Sequence, residues 1–129
     1  MNELFNWHFG ESEIKELIYQ NKNIIKLSDN DIRNMIDILI NIGCNETTIK
    51  DIIISNPFYL NRMEDDVVEL INKLKSIGIN DLDLLFESNP FILNKDVYEI
   101  DFFINENLSS GMNIDDIIEL IESSRMDEE

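Results

Sequence analysis

Ser55-Asn56-Pro57-Phe58-Tyr59-Leu60-Asn61-Arg62 returns later in the chain as Ser88-Asn89-Pro90-Phe91-Ile92-Leu93-Asn94-Lys95, and the two copies hold both prolines of the 129-residue sequence. An octet that recurs with its punctuation intact marks an internal repeat. The glycines agree: Gly10, Gly43, Gly78 and Gly111 lie 33, 35 and 33 residues apart, and each is read as opening a repeat. Sliding Ile14 to Gly43 forward by 35 residues pairs Ile14 with Ile49, Leu17 with Ile52, Ile36 with Ile71 and Leu39 with Leu74. A third copy matches again through Leu82, Leu85, Phe86, Ile100, Phe103 and Ile104, and a half-length fourth supplies Ile117, Leu120 and Ile121. Units of about 20–50 residues that bury their apolar faces only against neighbours form solenoids.

Within each unit the apolar residues recur at i, i+3 and i+4, which is a helical and not a strand period. The expected fold class is therefore all-α: a short α-solenoid of three and a half helix-pair repeats with a 33–35 residue period. One helical repeat domain should span residues 1–129, with repeats at about 10–42, 43–77 and 78–110, a half repeat at 111–124 and an acidic tail at 125–129. Helix starts are read at Ser28 with Asp31, Asn61 with Glu64, Asn94 with Asp96, and Asn113 with Asp116, where side-chain oxygens can accept first-turn amide hydrogens. Helix stops are read at glycines in the left-handed position, followed by an apolar residue that folds back, namely Cys44, Ile79 and Met112. Pro57 and Pro90 push the preceding Asn out of the helical region, and Phe-Tyr-Leu or Phe-Ile-Leu is expected to turn inward, so that loss of Phe58 or Phe91 should harm stability more than loss of the proline. The expected core includes Ile18, Ile36, Leu39, Ile53, Leu60, Leu70, Leu74, Phe86, Leu93, Phe103 and Ile121. The first unit, with Lys22 in place of proline, reads as a degenerate end repeat.

The pattern of Ile-Gly, a short polar link, a helix, Asn-Pro, Phe-x-Leu and a longer helix ending in Leu-x-x-Ile-Gly resembles the repeat of the mitochondrial transcription termination factor (mTERF) family over roughly residues 10–124. Asn56-Pro57-Phe58-Tyr59-Leu60 and Asn89-Pro90-Phe91-Ile92-Leu93 are its most specific part. The resemblance implies a left-handed helical solenoid, and many members of that family bind duplex DNA or RNA through a basic inner face in mitochondria or chloroplasts.

Composition points elsewhere for the partner. Lys and Arg total 10 against 27 Asp and Glu, a formal charge of −17. The excess is concentrated, since residues 1–62 carry nine acids and six bases while residues 63–129 carry eighteen acids and four bases. Such a surface repels phosphate, so direct nucleic-acid binding is not expected from charge alone. The lone cysteine excludes an internal disulfide and supplies no thiolate cluster. The N-terminus has neither signal-peptide nor transit-peptide character, no apolar run nears the roughly 20 residues that span a bilayer, and a cytoplasmic protein is expected.

Catalysis finds little footing in one histidine, one cysteine and no Gly-rich phosphate loop. His8 reads as a flanking residue at the end of an N-terminal half-helix and Cys44 as a packing residue at the position of Ile79 and Met112. Glu64-Asp65-Asp66 and Asp115-Asp116 lack the alternating oxygen ligands of a calcium loop and read as helix-start acids. No enzyme activity, cofactor or metal is expected. The favoured function is an acidic, non-enzymatic binding protein that docks on and inhibits or regulates a basic protein surface, such as that of a nuclease or other nucleic-acid-processing effector, in the manner of a phage or plasmid inhibitor or immunity protein. Asp65, Asp66, Glu69, Asp96, Glu99, Asp115, Asp116 and Glu119 are its candidate contacts. The alternative is an mTERF-like nucleic-acid-binding repeat protein.

Overall fold

A computed structural model describes residues 2–123; Ser124 of the expected half repeat and the acidic tail 125–129 lie outside the described residues. The described backbone forms eight α-helices, three 3-10 turns and no strand. In order these are α1 (Asn2–Asn6), α2 (Glu11–Gln20), η1 (Lys22–Lys26), α3 (Asp29–Asn41), α4 (Glu46–Ser55), η2 (Pro57–Asn61), α5 (Glu64–Ser76), α6 (Leu82–Ser88), η3 (Pro90–Asn94), α7 (Val97–Ser109) and α8 (Ile114–Glu122). Short helix, 3-10 turn and 13-residue helix repeat three times, and α8 begins a fourth unit. The fold is an all-α helical repeat. It divides into two compact units, Met1–Glu64 and Asp65–Glu129.

The long helices end alike because their last carbonyls need donors that the helix no longer supplies. After α3 the amide of Cys44 reaches the Leu39 carbonyl at 3.0 Å and that of Gly43 reaches Ile40 at 3.0 Å; Ile79 and Gly78 repeat this on Leu74 and Lys75, Met112 and Gly111 on Asn107 and Leu108. The turn requires a positive φ, which is 101° at Gly43 and 108° at Gly78. Gly10 does not belong to this series. It sits at the N-terminus of α2 with φ −74°, its amide donating to Glu13 Oε1 at 2.8 Å. The left-handed residue after α1 is His8, φ 64°, with Phe9 donating to the Leu4 carbonyl and His8 to that of Phe5. A histidine tolerates this region better than most side chains. The first boundary thus lies two residues earlier than the glycine spacing indicates, and His8 and Phe9 stand 35 residues before Gly43 and Cys44.

In the first unit α1 lies against α3. Its tie is Glu3, nearly buried, whose carboxylate accepts from Arg33 Nη2 at 3.1 Å while its amide donates to Asp29 Oδ1 at 3.1 Å. The Arg33 guanidinium holds the Glu3 carboxyl below its ordinary range, helped by hydrogen bonds from Asn6 and Trp7. A lowered carboxyl pKa contributes stability above its ordinary value and loses it as pH falls through the lowered one. Acidifying from about pH 5 to about pH 2 should therefore change the emission of Trp7, the single tryptophan, as α1 loosens. Glu3→Gln should shrink that step, leaving the part due to Asp29, whose carboxyl also holds α1 and is also lowered, and an unchanged step in the variant would count against the assignment.

The turns correct two expectations. Asn56 and Asn89 precede proline with φ, ψ of −139°, 75° and −141°, 75°, yet Asn21, followed by Lys22, adopts −140°, 91° and starts the same kind of 3-10 turn. Proline is compatible with the turn without being its cause. Second, Phe58 and Phe91 point outward, 51% and 57% exposed, while Tyr59, Leu60, Ile92 and Leu93 are buried. Residues three apart eclipse in a 3-10 turn, so in these copies the phenylalanine shares a side with Asn61 or Asn94 and not with the core. Of the expected core only Ile18 departs, being half-buried; the other ten are buried. Two expected caps also fail: Asn61 and Asn94 end 3-10 turns, and α7 is capped by Asp96, which accepts from the Glu99 amide at 3.0 Å. Ser28 and Asn113 cap α3 and α8 as expected, by accepting from Asp31 and Asp116 amides.

In the second unit α5, α6 and α7 bury Val67, Leu70, Leu74, Leu82, Phe86, Ile100 and Phe103, and α8 adds Ile117 and Ile121. Lys73 of α5 meets Asp101 of α7 at 2.7 Å.

Candidate functional site

Each of the eight acids singled out from the sequence lies in the second unit, in three groups on three helices, with Glu69 and Glu119 beyond the first turn of α5 and α8. Asp65, Asp66 and Glu69 are exposed on α5. Asp96 is half-buried because it caps α7, and Glu99, exposed one turn later, meets Lys95 at 3.7 Å. Asp115, Asp116 and Glu119 are exposed on α8, where Asp116 and Glu119 flank an open groove of about 290 Å³ with Met112, Leu120 and Ser123. First-turn carboxylates are where the positive helix end favours them, so position alone explains Asp65, Asp66, Asp115 and Asp116. Of the eight, only Glu99 meets a cation among the described residues.

The 3-10 turns build a different surface that the sequence alone does not assign. In the first unit η1 and η2 are pinned side by side by side-chain amides. Asn21, almost wholly buried, donates through Nδ2 to the Pro57 carbonyl at 3.2 Å and to Asn61 Oδ1 at 2.8 Å. Asn61 Nδ2 in turn donates to the Asn23 carbonyl at 3.1 Å. A buried amide with its donors and acceptor met fixes one register between neighbouring turns. The residues of this pair open to solvent, taken together as its outer edge, are Lys22, Asn23, Ile25 and Lys26 from η1 and Phe58 and Asn61 from η2. Lys22 and Lys26 have no carboxylate partner among the described residues, unlike Lys15, Lys50, Lys73 and Lys95. Ammonium groups without carboxylate partners on one turn, and an exposed aromatic ring on the turn packed against it, are of the chemical kinds that meet phosphate and stack on bases. The signal is legible only in part: the lysines are visible in the sequence, but the repeat pattern turns Phe58 inward with Leu60.

Other chemistry is sparse. His8 Nε2 lies 3.5 Å from Glu46 at the surface, and Cys44 is buried at its turn. Among the described residues no three His, Cys, Asp or Glu side chains are grouped as a metal site would need, and no helix is long and apolar enough to cross a membrane.

Helix, 3-10 turn and long helix in a 33–35 residue period, with η1 tied to η2 by asparagine, define an all-α helical repeat protein. The mTERF family model matches residues 7–124, and the chain belongs to the mTERF family. No match is found among curated proteins or among solved structures.

Proposed function

We propose that this chain is a non-enzymatic, nucleic-acid-binding helical repeat protein whose contact is the outer edge of η1 and η2. Family membership carries the reading. The edge fits it in kind: Lys22 and Lys26 reach phosphate, Phe58 offers a ring to a base, and Asn23 and Asn61 add amides. Six of the ten Lys and Arg residues fall within residues 1–62, where the acid excess is smallest. The test is fluorescence anisotropy with labelled single-stranded and duplex DNA and RNA over a salt series. Lys22→Glu with Lys26→Glu should weaken binding by about tenfold or more and flatten the log K against log salt slope by roughly 0.7–0.9 for each phosphate that is no longer neutralised. Binding that is undetectable at low salt, or indifferent to these reversals, would overturn it.

A second reading is favoured by one observation, the seven exposed carboxylates of Asp65, Asp66, Glu69, Glu99, Asp115, Asp116 and Glu119, six of which meet no cation among the described residues. Under it the second unit docks on a basic protein surface and regulates that protein. Charge reversal at Asp65 and Asp66 or at Asp115 and Asp116 should then slow association in low salt. Reversals that tighten oligonucleotide binding and leave protein capture untouched would favour the first reading.

A further inference from the structure

α7 carries an aromatic pair that the repeat does not need. Tyr98 and Phe102 are 78% and 67% exposed, although both belong to a helix whose Ile100, Phe103 and Ile104 are buried. Sequence register aligns them with Asp65 and Glu69 in α5 and with Asn30 and half-buried Asn34 in α3, so the corresponding positions of the two earlier long helices are polar. Spaced i and i+4, the two rings stand one above the other on one face. Phe102 has Glu99 one turn before it and Glu106 one turn after, both exposed. Core packing does not explain the rings, and capping does not explain Glu106, which lies in the second half of α7.

We infer that this face is a docking site for a protein segment that carries arginine or lysine interleaved with apolar side chains, the cations meeting Glu99 and Glu106 and lying over the rings, the apolar groups packing on Tyr98 and Phe102. The inference rests on the protein-partner reading above and gives it an anchor. Charge decides the occupant. Residues 63–129 carry eighteen acids against four bases, so a nucleic acid, an anionic lipid surface or a second copy of this chain would each bring negative charge to a face already negative. A cationic segment gains from both halves of the face, since an ammonium or guanidinium is attracted to ring faces as well as to carboxylates. Aromatic residues at the centre of a patch rimmed with charge are also where interface energy concentrates.

Two synthetic peptides test this by anisotropy: one with Arg and Leu at amphipathic helical spacing, the other with every Leu replaced by Ser. The Arg/Leu peptide should bind the wild type about tenfold more tightly than the Arg/Ser peptide, a ratio that Tyr98→Ser with Phe102→Ser should bring close to unity by weakening the Arg/Leu peptide far more than the Arg/Ser peptide, which loses only its cation–ring contacts. Tyr19→Ser, at an exposed tyrosine of the first unit, should leave both affinities unchanged, and circular dichroism should show all variants equally helical. Equal binding of the two peptides to the wild type would overturn the anchor while leaving an acidic surface intact. Failure of both peptides to bind in low salt would overturn the protein-partner reading as well. Equal sensitivity to Tyr19→Ser would place the apolar contact elsewhere, and self-association abolished in the double variant would make a second copy the occupant.

Discussion

Tyr59→Ala should cost about 3–5 kcal/mol in urea melts, the range found when a buried aromatic is truncated, whereas Phe58→Ala, one residue earlier in the same turn, should cost under about 1 kcal/mol. Tyr59 is fully buried, and its hydroxyl donates to the Met35 carbonyl of α3. Burial pushes the phenol above its ordinary pKa, so it remains a neutral donor at any pH at which the protein is studied. Tyr59→Phe isolates that bond from the ring's packing and should cost about 0.5–1.5 kcal/mol. Pro57→Ala should be mild, because Asn21-Lys22 already makes an equivalent turn without proline. If Phe58→Ala were as damaging as Tyr59→Ala, the turn would be inserted in the opposite sense.

Leu74→Ala should lose about 2–5 kcal/mol, and Leu84→Ala less than about 1 kcal/mol. Leu4, Leu39 and Leu74 recur every 35 residues in the last turn of α1, α3 and α5, and each is fully buried. Each carbonyl also accepts the amide of the residue that closes the turn, Phe9, Cys44 or Ile79, and those three are buried as well. Truncating Leu74 therefore opens a cavity beneath the helix stop, where side-chain packing and the backbone turn reinforce each other. Leu84, on the solvent side of α6, has no such role. A larger loss at Leu84 than at Leu74 would show that the inward face of the second unit is misassigned.

The contrast between Leu74 and Tyr59 also marks where a sequence can be read. Leu39 and Leu74 belong to long amphipathic helices, whose apolar stripe is a local consequence of 3.6 residues per turn, and that stripe is written out in the spacing. The turn residues carry no such stripe. Phe58, Tyr59 and Leu60 are three successive large side chains in a 3-10 turn, and composition does not say which of them faces out.

The candidate sites divide in the same way. The acids of α5, α7 and α8 are visible because helix starts are locally coded, but whether a given acid caps, as Asp96 does, or faces solvent, as Glu99 does, depends on the backbone around it. Lys22, Lys26 and Phe58 are not recognisable in the sequence as one edge, since Asn21 must reach across 36 residues to Pro57 and 40 to Asn61 before η1 and η2 lie side by side. Tyr98 and Phe102 are equally hidden: an aromatic at helical spacing ordinarily signals core, and only its exposure tells otherwise.

By itself, then, the sequence determined the repeat, its period, the helix-pair class and three of the left-handed helix stops, because periodic burial and glycine's freedom at positive φ are properties of short segments. Tertiary structure decided the rest. It placed His8 in the left-handed position after α1, with the Lys50 ammonium donating to its carbonyl at 2.9 Å. It made a proline-free turn at Asn21 match the proline-bearing ones, and it turned Phe58 and Phe91 to solvent. In each case the physical reason is that long-range hydrogen bonds and the shape of the cavity to be filled outweigh local preferences worth about 1 kcal/mol or less per residue.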